Sequence, residues 1–272
     1  ATARDSKQTG MPEQFSLFDD QLEPVVPGRA QPEPPSEPAP APAPASPPAD
    51  PTPEEKRELL EAVRLPALSC DRCGLSRTRT NVVFGEGNPA APLVFVGEGP
   101  GESEDATGRP FVGRAGKLLD EVLRRNGMTR SHVYICNVIK CRAADMQNGR
   151  WINRPPTPEE ISACNSWLTE QLGVIKPLVL VCVGGPSANT IIHKGFRITA
   201  ERGRWFTTSP YAPWTMAVMH PAYVLRLHGP AYDAALETLI EDVGNARKKV
   251  IEVKRQLKEA AAAAPPPRSL FD

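Results

Sequence analysis

The run Leu93-Val94-Phe95-Val96-Gly97-Glu98-Gly99-Pro100-Gly101 decides the fold. Four consecutive apolar residues leave no polar face, the pattern of a strand covered on both sides. The glycine-marked turn after it stands where the carboxyl end of such a strand opens toward a ligand. Three more runs repeat the pattern: Val133-Tyr134-Ile135-Cys136, Leu178-Val179-Leu180-Val181 and Thr215-Met216-Ala217-Val218. Helical spacing separates them. Ala115 to Asn126 sets Leu118, Leu119, Val122 and Leu123 on one stripe and closes at Gly127, while Thr157-Pro158-Glu159-Glu160 opens a helix carrying Ile161, Cys164 and Leu168. Pro186 to His193 is a shorter third. Strands alternating with helices predict an α/β fold around a mostly parallel sheet. The strand ends read Gly97 to Gly101, Asn137, Gly184-Gly185-Pro186 and His220-Pro221, so their convergence is the first functional signal.

Outward from this body the composition changes. Of 31 prolines in 272 residues, 14 precede residue 54, and that stretch holds eight acids against three bases. An overall formal charge of zero therefore hides an acidic arm joined to a mildly basic body. Residues 1–51 are expected to form a disordered Pro/Ala-rich arm, since they have too little to bury to offset their ordering entropy. Order is expected from Thr52-Pro53-Glu54-Glu55, which combines an N-cap, a proline at the first helical position and two acids facing the helix dipole. A domain over 52–243 would bury roughly 70% of its unfolded surface. After Pro230 a long helical pattern leads to a basic extension and tail over 244–272, which holds seven bases and three acids. The bland reading of that tail is a solvated charged face; the sharper one is contact with a nucleic-acid backbone. No run of eighteen apolar residues occurs and the N-terminus lacks an apolar signal region, so a cytoplasmic location is expected.

Cys70-Asp71-Arg72-Cys73 offers two thiolates at a spacing that grips one corner of a metal site. Cys141 and Cys164 are candidates for a second pair, whereas Cys136 and Cys182 sit in apolar strands, where a small buried hydrophobe is expected. Zinc and an iron–sulfur group are both compatible with this pattern. The loop Gly97 to Asp105 is not a phosphate cradle: it lacks GxGxxG and a Lys-Ser/Thr pair, and its four acids would repel phosphate. Glycines beside carboxylates suit close approach to a planar neutral ligand, with a base or water-positioning group at hand.

The blocks CxxC, GEGPGESEDATGRPFVGRAGKLLD, VYICNVIKC, Cys164 and MHPAYVLR together resemble the family 4, iron–sulfur, uracil-DNA glycosylases. The resemblance spans about Ser69 to Arg226. It implies a central four-stranded parallel sheet flanked by helices and a 4Fe–4S cluster on Cys70, Cys73, Cys141 and Cys164. It implies uracil-containing DNA as substrate, hydrolysis of the N-glycosidic bond, a monofunctional enzyme and a monomer. In the implied pocket Phe111 stacks on the everted uracil, Asn137 reads its O4 and N3–H, and His220 donates to O2. Backbone amides near Gly99 complete the clamp. Either Glu98 or Glu104 orients water, with Glu98 favoured because it directly ends its strand. Tyr223, Val224, Leu225 and Arg226 resemble a DNA-inserting loop, with an apolar wedge and an arginine on phosphate. The structural alternatives are a turn histidine, a capping asparagine and a core phenylalanine. A catalytically weak four-cysteine nucleic-acid-binding module is the alternative for the whole chain.

The sequence departs from the family in the segment Arg142 to Pro156, longer than the usual short proline-rich loop, which puts the path of that loop in doubt. A related subfamily captures uracil-DNA through a histidine in this region; none lies between His132 and His193, so turnover is expected. On the arm, Gln14-Phe15-Ser16-Leu17-Phe18 resembles the peptide by which bacterial repair proteins dock on the replication sliding clamp, and Arg268-Ser269-Leu270-Phe271 partly echoes it. A chance match on a low-complexity arm is the alternative.

Overall fold

The computed structural model describes residues 50–263; the clamp-like peptide at 14–18 and its echo at 268–271 lie outside them. Helix α1 (Pro53–Leu68) begins as expected, with the Thr52 hydroxyl accepting from the Glu55 amide and the Glu55 carboxylate accepting from the Thr52 amide. A two-residue strand β1 (Glu86–Gly87) precedes β2 (Leu93–Gly97), which is followed by α2 (Glu102–Thr107) and α3 (Arg114–Arg125). Next come β3 (Tyr134–Asn137), β4 (Ala144–Gln147), β5 (Arg150–Asn153) and α4 (Pro158–Ile175). The chain closes through β6 (Val179–Val183), α5 (Gly185–Ile191), α6 (Ile198–Glu201), β7 (Trp214–Val218), α7 (Pro221–Val224) and α8 (Pro230–Ala263).

The four apolar runs form the parallel part of the sheet in the order β3-β2-β6-β7. The sheet has a fifth strand: β1 pairs antiparallel with β3 at the edge. It is too short to carry a periodic signal. Alternation divides the core between the two faces. Val94, Val96, Cys136, Leu180, Cys182 and Ala217 pack under α1, α4 and α5. Leu93, Phe95, Ile135, Val181, Met216 and Val218 pack under α3, α7 and α8. Both faces are covered, which is why these strands read as unbroken apolar runs.

Two sequence expectations change. The segment after Cys141 is a β-hairpin, with β4 and β5 pairing antiparallel around Asn148-Gly149. Both turn residues have positive φ (49° and 77°), the two-residue geometry that Asn-Gly favours. Helix α8 runs unbroken through the 243/244 boundary, and Ala246, Val250 and Val253 are buried. The first part of the basic extension is thus packed against the domain rather than solvated.

Candidate active site

A cavity of about 430 Å³ opens at the carboxyl ends of the parallel strands. Glu98, Gly99, Glu104, Phe111, Asn137 and His220 all line it, so six residues expected from four separate segments meet at one place.

Asn137 ends β3 and is 2% exposed. Its backbone carbonyl accepts from Lys140 Nζ (2.8 Å), and its side chain faces the cavity. Its register partner on β2, Gly97, is required by space: an added Cβ would lie 2.3 Å from Asn137 Oδ1 and 2.6 Å from Phe111 Cζ. Phe111 is buried and holds a left-handed backbone (φ 53°), an uncommon conformation for an aromatic residue. Its ring stacks on the His220 ring at 5.9 Å between centroids and 28° between planes.

The Phe111 backbone is held by a residue that sequence reasoning missed. Arg130 donates to the carbonyls of Pro110 (2.8 Å) and Phe111, and is itself ion-paired to Glu86 (2.6 Å) and Asp120 (2.7 Å). Nothing in its local sequence distinguishes this half-buried arginine from a surface one.

His220 is fixed as one tautomer. The Ala222 amide donates to His220 Nδ1 (3.0 Å), so in the neutral ring the proton sits on Nε2. Burial, with Arg226 nearby, lowers its pKa to about 4. The ring is therefore a neutral donor at ordinary pH.

The loop acids divide by role. Glu104 accepts from the amides of Gly101 (3.1 Å), Val112 (2.9 Å) and Gly113 (2.8 Å), joining the start of α2 to that of α3. Asp105 is buried and accepts from the amides of Thr80 (2.9 Å) and Asn81 (3.3 Å). Glu102 is solvent-facing, 3.9 Å from Arg142. Glu98 lines the cavity at the end of β2, and burial alone raises its pKa above the ordinary carboxylate value.

Beyond His220 the wedge differs from expectation. Val224, the last residue of α7, is fully buried in the core, and Leu225 is partly buried against the same core. Tyr223 is exposed, with the Arg226 guanidinium 6.0 Å from its ring centroid. Of Tyr223, Val224 and Leu225, only Tyr223 is exposed.

Cys70, Cys73, Cys141 and Cys164 line a second, smaller chamber together with apolar Leu75, Val82 and Ile139. Three donors point at its sulfurs: Trp167 Nε1 to Cys70 (3.3 Å), Arg79 Nη1 to Cys141 (3.4 Å) and the Lys140 amide to Cys164 (3.2 Å). N–H groups aimed at sulfur suit thiolate or sulfide acceptors, so the donor set fits an iron–sulfur group. Among the described residues no three His, Cys, Asp or Glu side chains converge on the spacing of a single metal ion. Burial raises Cys141 to about 11, against the pull of Arg79. Ile139 lines both the chamber and the larger cavity and so forms part of the wall between them. Cys136 and Cys182 are buried within β3 and β6.

Lys140 is the other residue the sequence did not disclose. It is 1% exposed and donates to Gln171 Oε1 (2.6 Å) as well as to Asn137 O. Burial lowers its pKa. Even as a neutral amine it has two N–H groups for those two acceptors.

A family model described as the uracil DNA glycosylase superfamily matches residues 84–244. A type-4 uracil-DNA glycosylase of Thermotoga maritima is 46% identical over 175 residues, covering 63% of this chain and 85% of that protein. The type-4 enzyme of Archaeoglobus fulgidus is 41% identical over 174 residues, 62% of this chain and 84% of that protein. That of Sulfurisphaera tokodaii is 39% identical over 204 residues, 72% of this chain and 87% of that protein.

Proposed function

The chain belongs to the uracil-DNA glycosylase superfamily, among its type-4 enzymes, and we propose that the cavity at the ends of β2 and β3 is where it removes uracil from DNA. It is a DNA N-glycosylase, a hydrolase that initiates base excision repair. The observation that carries the site is the tautomer lock on His220, a neutral Nε2–H donor sharing one cavity with Asn137, Phe111 and Glu98.

A base within a duplex is unreachable, so uracil must be everted at a cost of a few kcal/mol. Phe111 gives the everted ring a face to stack on. Asn137 donates from Nδ2 to uracil O4 and accepts N3–H at Oδ1. Cytosine presents the reverse pattern, leaving two buried groups unpaired. When the bond between N1 and the sugar carbon breaks, its electron pair stays on uracil and charge spreads to O2. The His220 Nε2–H meets that charge, a fixed donor worth roughly 3–4 kcal/mol. The Glu98 carboxylate orients water toward the sugar carbon; the water oxygen forms the new bond, and Glu98 accepts its proton. The amide bonds of Glu104 favour Glu98 for this role and give Glu104 that of holding the Gly99 loop. Tyr223 and Arg226 contact the DNA strand beside the everted base.

Cys70, Cys73, Cys141 and Cys164 would hold a 4Fe–4S cluster, which supplies a covalent brace between the loop after α1, the segment after β3 and α4. The folded domain, α8 included, acts as a monomer in the cytoplasm, on the chromosome, and the peptide at 14–18 docks it on the sliding clamp. Deleting residues 13–18 and 268–271 together is expected to abolish clamp retention; unchanged retention ends that idea.

The test of the site is uracil release from an oligonucleotide by the wild type, Asn137→Ala and His220→Ala. Both variants are expected to lose at least a hundredfold in rate. Wild-type rates in both would show that the chemistry happens elsewhere.

A further inference from the structure

The hairpin β4–β5 projects from the wall of the uracil cavity. Asn153 and Arg154, at its base, line that cavity with Phe111, Asn137 and His220. Arg142 ties the base down, donating from Nε to Asn153 Oδ1 (2.7 Å) and from Nη2 to the Trp151 carbonyl (3.2 Å). Arg154 secures the other side, its amide donating to Ala143 O (3.0 Å) and its guanidinium pairing with Glu160 (2.7 Å).

Strand alternation orders what lies above that base. Met146 pairs across the ribbon with Trp151, and both fall on the face that carries Asn153, one strand repeat of about 7 Å further out. Met146 is 53% exposed and Trp151 42%. A two-stranded ribbon is marginal by itself, and presenting its largest apolar pair to water adds nothing to its stability. Charge points to the occupant: residues 142–156 hold three arginines and one acid, and while Arg154 is taken up by Asp145 (2.9 Å) and Glu160 (2.7 Å) and Arg142 lies 3.9 Å from Glu102, Arg150 at the hairpin turn has no carboxylate partner among the described residues. An aromatic platform next to a cationic hairpin turn, continuous with a cavity for an everted base, matches a nucleic-acid strand with unstacked bases.

We propose that the Met146–Trp151 face of the hairpin is a DNA-docking surface, on which a base neighbouring the everted uracil stacks in single-stranded DNA. This rests on the cavity being the uracil site and extends it with a stacking contact outside the cavity. Trp151 then acts on substrate binding and not on bond cleavage.

The test uses the full-length protein and two measurements. A uracil-free single-stranded oligonucleotide is expected to quench tryptophan fluorescence in the wild type, with most of the quench lost in Trp151→Phe. With a uracil-containing single strand, Trp151→Ala is expected to raise KM about tenfold while kcat stays within about twofold. Ile152→Ala, on the other hairpin face, is expected to leave KM unchanged. Equal KM in Trp151→Ala and wild type, no quench attributable to Trp151, or an equal KM rise in Ile152→Ala each overturn the proposal. So does self-association of the wild type that Trp151→Ala abolishes, since the face would then belong to a protein partner. Quenching is independent of turnover, so uracil release by the wild type reports separately on the function itself.

Discussion

Lys140 reaches back three residues to donate its Nζ proton to the carbonyl of Asn137 at 2.8 Å, while its own amide donates to Cys164 Sγ at 3.2 Å. One buried residue thus joins Asn137, which lines the larger cavity, to the cysteine chamber. Gln171 completes the junction: its Oε1 accepts from Lys140, and its Nε2 donates to Phe84 O and Tyr134 Oη, each at 3.0 Å.

Lys140→Met is therefore expected to damage two properties together. It leaves Asn137 O and Gln171 Oε1 buried without donors, at roughly 1–3 kcal/mol for each group. It also frees the end of β3, so kcat/KM for uracil release should fall at least tenfold. Urea denaturation and single-turnover kinetics on the same preparation check this. Wild-type stability with wild-type kinetics would mean that the junction is incidental.

The four parallel strands were legible because burial on both faces removes polar residues from Leu93–Val96 and its three counterparts. Cavity residues were legible where a glycine or a lone polar side chain interrupted an apolar strand, as at Gly97, Asn137 and His220. Lys140 and Arg130 were not, because a base in sequence reads as solvent-facing until its acceptors are known, and those are long-range. The hairpin did carry a signal in Asn148-Gly149 flanked by Met146 and Trp151. Four acids within Glu98 to Asp105 could not be sorted by spacing alone; the amides of Val112 and Gly113, on a different segment, distinguish Glu104 from Glu98.

Arg130 holds Phe111 in its left-handed backbone conformation, which costs of order 1–3 kcal/mol and persists only under constraint. Arg130→Ala removes the donors to two carbonyls and lets the Phe111 ring turn away from His220. The expected result is a tenfold or larger fall in kcat/KM, the size of one lost base–aromatic contact. Arg130→Lys should not restore it, because a point charge cannot span the carbonyls of Pro110 and Phe111 as a planar fork does. Full rescue by lysine would show that only the charge matters.

Thr215 in β7 has a fully buried hydroxyl with no hydrogen-bond partner among the described residues. Thr215→Val replaces it with a methyl group of similar size and relieves its desolvation. Stability is expected to rise by about 1 kcal/mol, or roughly 2–4 °C in Tm, with uracil release unchanged. Calorimetry decides; a lower Tm would mean that the hydroxyl has a partner after all.

His220 sets a pH dependence whose sign follows from its depressed pKa, about 4 in the folded chain against 6.5 for an ordinary histidine. Between those values the unfolded chain binds a proton that the folded one refuses, so stability falls as pH drops from about 6.5 toward 4. The shift corresponds to roughly 3 kcal/mol. Well above pH 6.5 both states are neutral and the contribution is flat. Urea unfolding of wild type and His220→Gln across this range should give curves that diverge on acidification, the wild type losing more stability; parallel curves would mean that the ring is not held neutral. Catalysis follows the same logic. The His220 donor persists down to about pH 4, so no inflection in kcat near 6.5 should arise from it. Burial raises the Glu98 pKa, so the acid limb of kcat should lie above the ordinary carboxylate value and disappear in the residual activity of Glu98→Gln. A limb that survives in Glu98→Gln would transfer the water-orienting role to another group.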